Sequence, residues 1–189
     1  MSYPNILFET MEIVDNEAIQ RSESGNLRTQ SRTLNAHRWE ISAQYPSLTR
    51  ADASEIIAFI RSNKSSAFEL TLPEYSTARG TVSGTVAVNN SGGYSAGTST
   101  ITIDGITGTL LKGDFIKFNG HDKVYMIIED RSGAGDLSIS PSLRSPVANN
   151  ELLIYDDVPF TVRFPSNRHT LSISSSDNQR INVSFIEAV

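Results

Sequence analysis

The sequence predicts a mainly β protein with one α-helix and an inserted second β domain. Three observations support this fold class. Short runs with strand-like alternation recur along the whole chain and are separated by turn residues. One segment, Ala51 to Ser62, has the spacing of a helix. The composition changes near Ser76 and again near Val158, and most of the glycines lie between these two points.

A long strand followed by a short helix is predicted for residues 32–62. In the strand, side chains of one face are apolar, and those of the other face are polar. The apolar face comprises Trp39, Ile41, Ala43 and Tyr45. Only one side of such a strand has to leave water, which is typical of a half-buried antiparallel strand. Pro46 ends the strand.

The helix is indicated by a capping pair and an apolar stripe. Thr49 lies three residues ahead of Asp52, the spacing of a helix N-terminus. The apolar stripe consists of Ala53, Ile56, Ile57 and Ile60, with Phe59 beside them. We therefore expect one helix that packs a single stripe on a sheet.

Strand signals dominate the rest of the chain. The predicted strands are Ile6 to Phe8, Thr33 to Tyr45, Phe68 to Leu72, Thr81 to Val88, Ser99 to Ile103, Phe115 to Phe118, Lys123 to Glu129, Leu137 to Ser140, Leu152 to Asp156, Thr161 to Phe164, Leu171 to Ser174 and Ile181 to Ile186.

The change in composition predicts two domains, one inserted in the other. Residues 76–157 have enough alternating segments for a small β-barrel of about five or six strands. Residues 1–75 and 158–189 then form one discontinuous domain, because neither fragment alone has enough strands to close a core. The last strand, Ile181 to Ile186, is expected to pair with the long strand that ends at Tyr45.

Composition excludes several classes of protein. The chain has 189 residues, 38% of them hydrophobic, which is adequate for an ordinary core. It has no cysteine, so disulfides and thiolate sites are absent. A net charge of -5 argues against a nucleic-acid-binding protein. The amino terminus resembles no signal peptide and no run of about 18 apolar residues occurs, so we expect a soluble protein made in the cytoplasm.

No catalytic, cofactor-binding or metal-binding residues are predicted. His37, His121 and His169 lack the short spacings of a zinc site, and His121 is explained by a hairpin turn. Asp104 lies in a turn, and the neighbours Asp156 and Asp157 would point to opposite faces of a strand. A nucleophile elbow is not expected, and phosphate-binding glycine motifs and metalloprotease motifs are missing from the sequence. An enzyme is therefore not expected.

Two sets of segments have a recognisable order along the chain. The first set is RSESGN (21–26), RTL (32–34), HRWEISAQYP (37–46), LTRAD (48–52) and the apolar run 56–60; the second is GDFIKF (113–118), GHDKVY (120–125), PSLR (141–144) and VANN (147–150). Together they resemble the distal tail proteins of long-tailed bacteriophages, which act as adaptors at the baseplate hub. The resemblance spans nearly the whole chain.

The resemblance implies a fold, an assembly and partners. The discontinuous domain would be a tail-tube-like β-sandwich or barrel with one flanking helix, and six copies would form a ring at the distal end of the tail. This ring would join the tail tube protein to the hub or tip protein, with DNA only passing through its channel. The inserted domain would face outward, where in this family it often carries side fibres. The protein would belong to the virion, without cofactor or membrane.

Nine residues are predicted to form the core of the discontinuous domain and to support its assembly. They are Trp39, Ile41, Tyr45, Ile56, Phe59, Ile60, Phe164, Val183 and Phe185. A charged, loop-rich region is expected at a subunit interface, at a channel rim or on a solvated face. It contains Glu9, Glu12, Glu17, Arg21, Arg28 and Arg32.

Alternative functions remain open at the level of sequence. A binding module could recognise a carbohydrate or a fibre protein through Tyr94, Tyr125 or Tyr155 as stacking surfaces. A tail-tube subunit and a tail-completion protein share much of the same pattern, although an insertion as long as residues 76–157 favours the distal ring.

Overall fold

The computed structural model describes residues 3–4, 6–72, 75–166, 171–173 and 179–189. Within these ranges the chain forms fourteen strands and one helix. In chain order they are β1 Thr10–Glu23, β2 Thr29–Gln44, α1 Arg50–Ser62, β3 Phe68–Thr71, β4 Ala87–Val88, β5 Thr100–Asp104, β6 Thr109–Leu110, β7 Phe115–Phe118, β8 Val124–Ile127, β9 Arg131–Ser132, β10 Gly135–Ser140, β11 Leu153–Ile154, β12 Pro159–Arg163, β13 Leu171–Ile173 and β14 Gln179–Glu187. The predicted mainly β fold is confirmed.

The chain divides into two compact units. The first unit consists of Met1–Asn16, Arg38–Leu70 and Thr161–Val189. The second consists of Glu17–His37 and Thr71–Phe160. Whether residues 76–157 fold independently of the rest stays a prediction.

The terminal strand β14 lies at the centre of a six-stranded sheet. The order of this sheet is β1-β2-β14-β12-β3, and β13 also pairs with β14. β14 runs antiparallel to β2, with Val183 opposite Ala43 and Phe185 opposite Ile41. The predicted pairing between the last strand and the strand before Tyr45 is thus confirmed. The side chains of Ile41 and Phe185 are both buried and lie side by side on one face of the sheet, which extends the apolar face of β2.

Helix α1 is positioned by its cap and its apolar stripe. The Thr49 hydroxyl accepts a hydrogen bond from the backbone N–H of Asp52 at 3.3 Å, and donates one to the Asp52 carboxylate at 2.7 Å. This satisfies an N–H group that has no partner within the helix. The buried side chains of the helix are Ala53, Ile56, Phe59 and Ile60. The predicted boundaries of the helix differ from the observed ones by one residue.

The second unit contains a closed six-stranded barrel. The strand order is β11-β7-β8-β10-β5-β4. The backbone N–H of Leu153 donates to the carbonyl of Val86 at 2.9 Å, and that of Val88 donates to Glu151 at 2.9 Å, so the first and last strands are bonded to each other. The barrel interior is formed by Val86, Val88, Ile101, Ile103, Leu110, Ile116, Phe118, Tyr125, Ile127, Leu137, Ile139, Leu143, Val147 and Leu153. A small β-barrel is thus present, whereas its standing as an inserted domain of residues 76–157 stays a prediction.

Three local predictions are wrong. The segment Ile6 to Phe8 is not a strand, and only Ala87–Val88 of the predicted strand Thr81 to Val88 belongs to β4. The region predicted to be loop-rich is a long hairpin, in which β1 spans 14 residues and β2 spans 16. The strand predicted from Thr33 covers most of β2, but β1 and the first residues of β2 were missed because the described side chains from Ile19 to Ala36 do not alternate between a buried and an exposed face.

Candidate assembly surface

The distal half of the β1–β2 hairpin is exposed on both of its faces. Every described side chain from Ile19 to Ala36 is exposed, and we call this segment the arm. Ile19 keeps 43% of its surface accessible, and Leu34 keeps 51%. An isolated two-stranded ribbon is only marginally stable in water, because no apolar face is covered. The arm is therefore a surface that another chain would stabilise.

The tip of the arm is a three-residue turn with an unusual occupant. The Ser24 N–H donates to the Arg28 carbonyl at 3.0 Å, and the Leu27 N–H donates to the Ser24 carbonyl at 2.8 Å. Leu27 has a φ of 64°, in the left-handed region that this position of the turn requires. Glycine or asparagine normally fills such a position, since a β-carbon there costs about 1–2 kcal/mol. The Leu27 side chain is 81% exposed.

Charge is divided unevenly along the hairpin. Residues 9–17, which we call the acidic segment, contain Glu9, Glu12, Asp15 and Glu17 and no lysine or arginine. All four of these side chains are exposed. The arm, in contrast, contains three arginines and a single glutamate, which are Arg21, Arg28, Arg32 and Glu23. The two parts of one hairpin thus have opposite net charge.

A buried polar contact lies at the root of the arm. Nζ of Lys123 is 2.8 Å from Nδ1 of His37, and the two residues are 3% and 6% exposed. The two nitrogens share one hydrogen bond, and which of them donates depends on the protonation of the pair. Both residues belong to the second unit. The contact fixes the residue directly after the arm to the loop before β8.

The nine residues predicted to form the core are all buried. Trp39, Phe164 and Phe185 are 3%, 4% and 1% exposed. The others are Ile41, Tyr45, Ile56, Phe59, Ile60 and Val183. The aromatic rings of Phe164 and Phe185 lie 5.6 Å apart. The backbone N–H of Trp39 donates to the buried carboxylate of Glu187 at 3.1 Å. An influence of these residues on assembly stays a prediction, since their side chains are inside the unit.

Two buried tyrosines contribute to the same core. Burial raises the pKa of Tyr3 to about 12. Burial also raises the pKa of Tyr45, and the neighbouring Tyr3 hydroxyl raises it further. Among the described residues, neither hydroxyl has a hydrogen-bond partner of good geometry. Both groups are therefore held neutral by the fold.

Of the three tyrosines proposed as stacking surfaces, Tyr125 is buried, and Tyr94 and Tyr155 are partly exposed with hydrogen-bonded hydroxyls. Tyr125 is 0% exposed, so its ring cannot stack on a sugar. Its hydroxyl oxygen accepts a hydrogen bond from the backbone N–H of Arg144 at 3.0 Å. The Tyr94 hydroxyl donates to the hydroxyl of Thr102 at 2.8 Å. The Tyr155 hydroxyl donates to the carbonyl of Gly84 at 2.8 Å. The prediction for Tyr125 was wrong because its strand is buried on both faces.

The histidines lie at separate places in the chain. His121 lies in the turn between β7 and β8, as predicted, and its Nε2 is 2.9 Å from the Glu151 carboxylate. His169 lies outside the described residues. Among the residues that the structure describes, no group of three or more potential metal ligands comes together. No helix in the described ranges has the length and apolar character needed to cross a membrane.

Comparison with known proteins gives one informative relative. No family model matches the chain. The chain is 26% identical over 167 residues to the distal tail protein pb9 of Escherichia phage T5, an alignment that covers 85% of this chain and 81% of that protein. The similarity therefore extends over both units and is not limited to one motif. It agrees with the resemblance that the sequence segments indicate.

Proposed function

We propose that this chain is a structural protein of a bacteriophage tail that forms a hexameric ring at the distal end of the tail. The observation that carries this proposal is the arm, which has no covered face in the single chain. The similarity to distal tail protein pb9, at 26% identity over most of both chains, supports the same function. The ring would join the last tube subunits to the hub or tip protein.

The arrangement of the six-stranded sheet suits a ring. β1 and β3 are the end strands of its order, so each has one edge without a neighbouring strand of that sheet. A contact in which one copy gives its arm and the next copy receives it is heterologous, and rotation closes such a contact into a ring. Uncovered edges and a two-sided ribbon are features that single-chain proteins usually avoid.

Further parts of the proposal concern the barrel and the channel. Residues 76–157 would form an outward domain that presents side fibres or contacts the host surface. DNA would pass through the channel without being bound, and the particle would assemble in the host cytoplasm.

A protein with residues 76–157 replaced by a short flexible linker should still fold and form rings. Aggregation of that variant would contradict the independence of the inserted domain.

A purely mechanical function accounts for the chemistry of the described residues. The core is apolar, and the polar side chains at the barrel surface bond to one another, as Tyr94, Thr102 and Asp136 do. The alternatives of a carbohydrate- or fibre-binding module and of a tube or completion subunit make different predictions. A module would stay monomeric and bind its ligand, whereas a tube subunit would polymerise into long tubes.

Sedimentation velocity and negative-stain microscopy of the purified chain test the proposal. We expect six-fold rings that do not grow into tubes. A variant in which residues 19–36 are replaced by a two-residue Asn-Gly turn removes the arm and should remain a folded monomer. A wild-type protein that stays monomeric at high concentration, with or without a tube protein present, would overturn the proposed ring.

A further inference from the structure

We propose that the tip of the arm binds a second copy of this chain, with Leu27 as its apolar anchor and the arm's arginines facing the neighbour's acidic segment. The inference rests on the proposed ring and names the residues that hold its subunits together. It concerns three features of the described residues: a strained turn, an exposed leucine and an uneven distribution of charge.

The conformation of Leu27 indicates a function for its side chain. At a φ of 64° the turn would be more stable with glycine or asparagine, yet the chain has a leucine there. Backbone strain at one residue points to a role for the residue that causes it. With 81% of its surface exposed, Leu27 gains almost nothing from contacts within its own chain. Its apolar surface would be buried only on binding a partner.

The turn directs this leucine outward together with basic neighbours. Arg28 follows Leu27 directly, and Arg21 and Arg32 lie on the two strands behind the turn. All three arginines are exposed, and the Arg28 carbonyl closes the turn by accepting the Ser24 N–H. An exposed apolar side chain at the tip, with arginines beside it and farther back along the arm, resembles the centre and rim of a protein interface, where the apolar group is covered and charges at the edge set the orientation.

The charge of the chain identifies the partner as a second copy. The chain as a whole has a net charge of -5, so a basic arm would be attracted to another copy. The strongest exposed concentration of acid near the arm is the acidic segment, residues 9–17, which lacks any lysine or arginine. Val14 lies within it and is 39% exposed, which gives an apolar contact for Leu27.

The same arrangement fixes the direction of assembly. The arm and the acidic segment are different parts of the hairpin, so each copy can give one arm and receive another at the same time. Two arms would repel each other, as would two acidic segments, which disfavours a symmetric pair of facing hairpins. The contact can thus be head to tail, as a closed ring requires, and a reciprocal pair of two copies is the outcome that sedimentation velocity distinguishes from it.

The first test changes the anchor. Leu27→Gly relieves the turn and removes the side chain, so the thermal stability of the monomer should be unchanged or higher while subunit association weakens by about tenfold or more. Leu27→Asn introduces a residue that tolerates the left-handed conformation, so it should likewise weaken association without lowering the stability of the monomer. Leu7→Asn, at a leucine that is 66% exposed outside the hairpin, is the matched control and should leave association unchanged.

The second test exchanges the charges. Arg28→Glu with Arg32→Glu gives an acidic arm, and Glu12→Lys with Asp15→Lys and Glu17→Lys gives a basic segment, in which only Glu9 stays acidic. Each of these two charge variants should fail to form rings alone, because its arm and its neighbour's segment have the same sign. A mixture of the two should assemble, since every acidic arm then meets a basic segment and every basic arm meets an acidic one. Native mass spectrometry would show alternation of the two variants.

The outcomes separate the inference from the proposed function. If the wild-type chain does not form rings, the proposed function fails and the inference fails with it. If the wild-type forms rings and the Leu27 and charge variants form them equally well, the ring stands and the inference is wrong. The inference would also be wrong if both charge variants lose assembly and their mixture does not recover it. Binding of the wild-type arm to a tube protein, in place of a second copy, would overturn it as well.

Discussion

Nζ of Lys123 lies 2.8 Å from Nδ1 of His37, joining the end of the arm to the loop before β8. Both side chains are buried, so the hydrogen bond is not in competition with water. A hydrogen bond in such a place stabilises more than an exposed one would, because each group would be left unsatisfied without it.

His37→Phe should therefore lower the free energy of unfolding by about 1–3 kcal/mol, the cost of leaving a buried polar group without its partner. Lys123→Met should also be destabilising, and the double variant should cost less than the sum of the two. Urea denaturation of all four proteins measures this coupling. Strict additivity would show that the two side chains act independently.

Trp39 should be a major determinant of stability. It is 3% exposed in the sheet that includes β2 and β14, so Trp39→Ala should lower the free energy of unfolding by about 3–5 kcal/mol. Its fluorescence emission in the folded protein should be shifted to the blue of that of free tryptophan. Leu34→Ala on the same strand, at an exposed side chain, serves as the control, with an expected change within about 0.5 kcal/mol. Emission typical of a solvated indole would contradict the burial of Trp39.

The paired tyrosines predict a loss of stability in alkali. Their ordinary pKa is about 10, and burial raises the pKa of Tyr3 to about 12 and that of Tyr45 as well. The unfolded chain releases these protons at lower pH than the folded chain, so their contribution is complete below about pH 10 and is lost as pH rises through the folded pKa values.

Unfolding measured between neutral pH and strong alkali should show this decline. Tyr3→Phe and Tyr45→Phe should each flatten the fall of stability above about pH 10, because one titrating group is removed. Tyr75→Phe, at a tyrosine that is 58% exposed, is the control. An identical alkaline slope in the wild-type and in both core variants would refute the assignment.

Gly105 should be irreplaceable in the barrel. It follows β5 with a φ of 75°, and a β-carbon at this position would collide with the carbonyl oxygen of Thr85. Gly105→Ala should therefore lose about 2 kcal/mol or more. Gly133 has a φ of 69° and open space around it, so Gly133→Ala adds the same kind of backbone strain without the collision. The difference in melting temperature between the two variants measures the collision alone, and equal melting temperatures would exclude it.

The elements with one buried face could be predicted from the sequence. Trp39, Ile41 and Tyr45 alternate with polar neighbours because one side of β2 is covered, and Thr49 marks the start of α1 through its side chain. The position of the barrel followed from the glycines and alternating runs of residues 76–157. Registers could not be predicted, because pairing such as Phe185 with Ile41 depends on the packing of the whole sheet.

The arm could not be predicted by the same reasoning. Ile19 and Leu34 are both exposed, so periodicity carries no information about which face is inward. One local signal was available: the turn residues Ser24, Gly25 and Asn26 separate two runs of similar length, as in a hairpin. The charges of this stretch suggested a loop-rich region, whereas its turn residues indicate a hairpin. The buried Tyr125 was missed for a related reason, since strands of a small barrel can be covered on both sides.

The hydrogen bonds that close the barrel, such as the one from the Leu153 N–H to the Val86 carbonyl, affect how many copies of the protein can be held close together. A sheet that returns on itself leaves no row of unsatisfied amides and carbonyls to which a foreign strand could add. Many copies can then be held close together at high local concentration without their barrels fusing into fibrils. Substitutions in the turns of the barrel, including those that change what its surface binds, can therefore accumulate. The propensity of the protein to aggregate stays low.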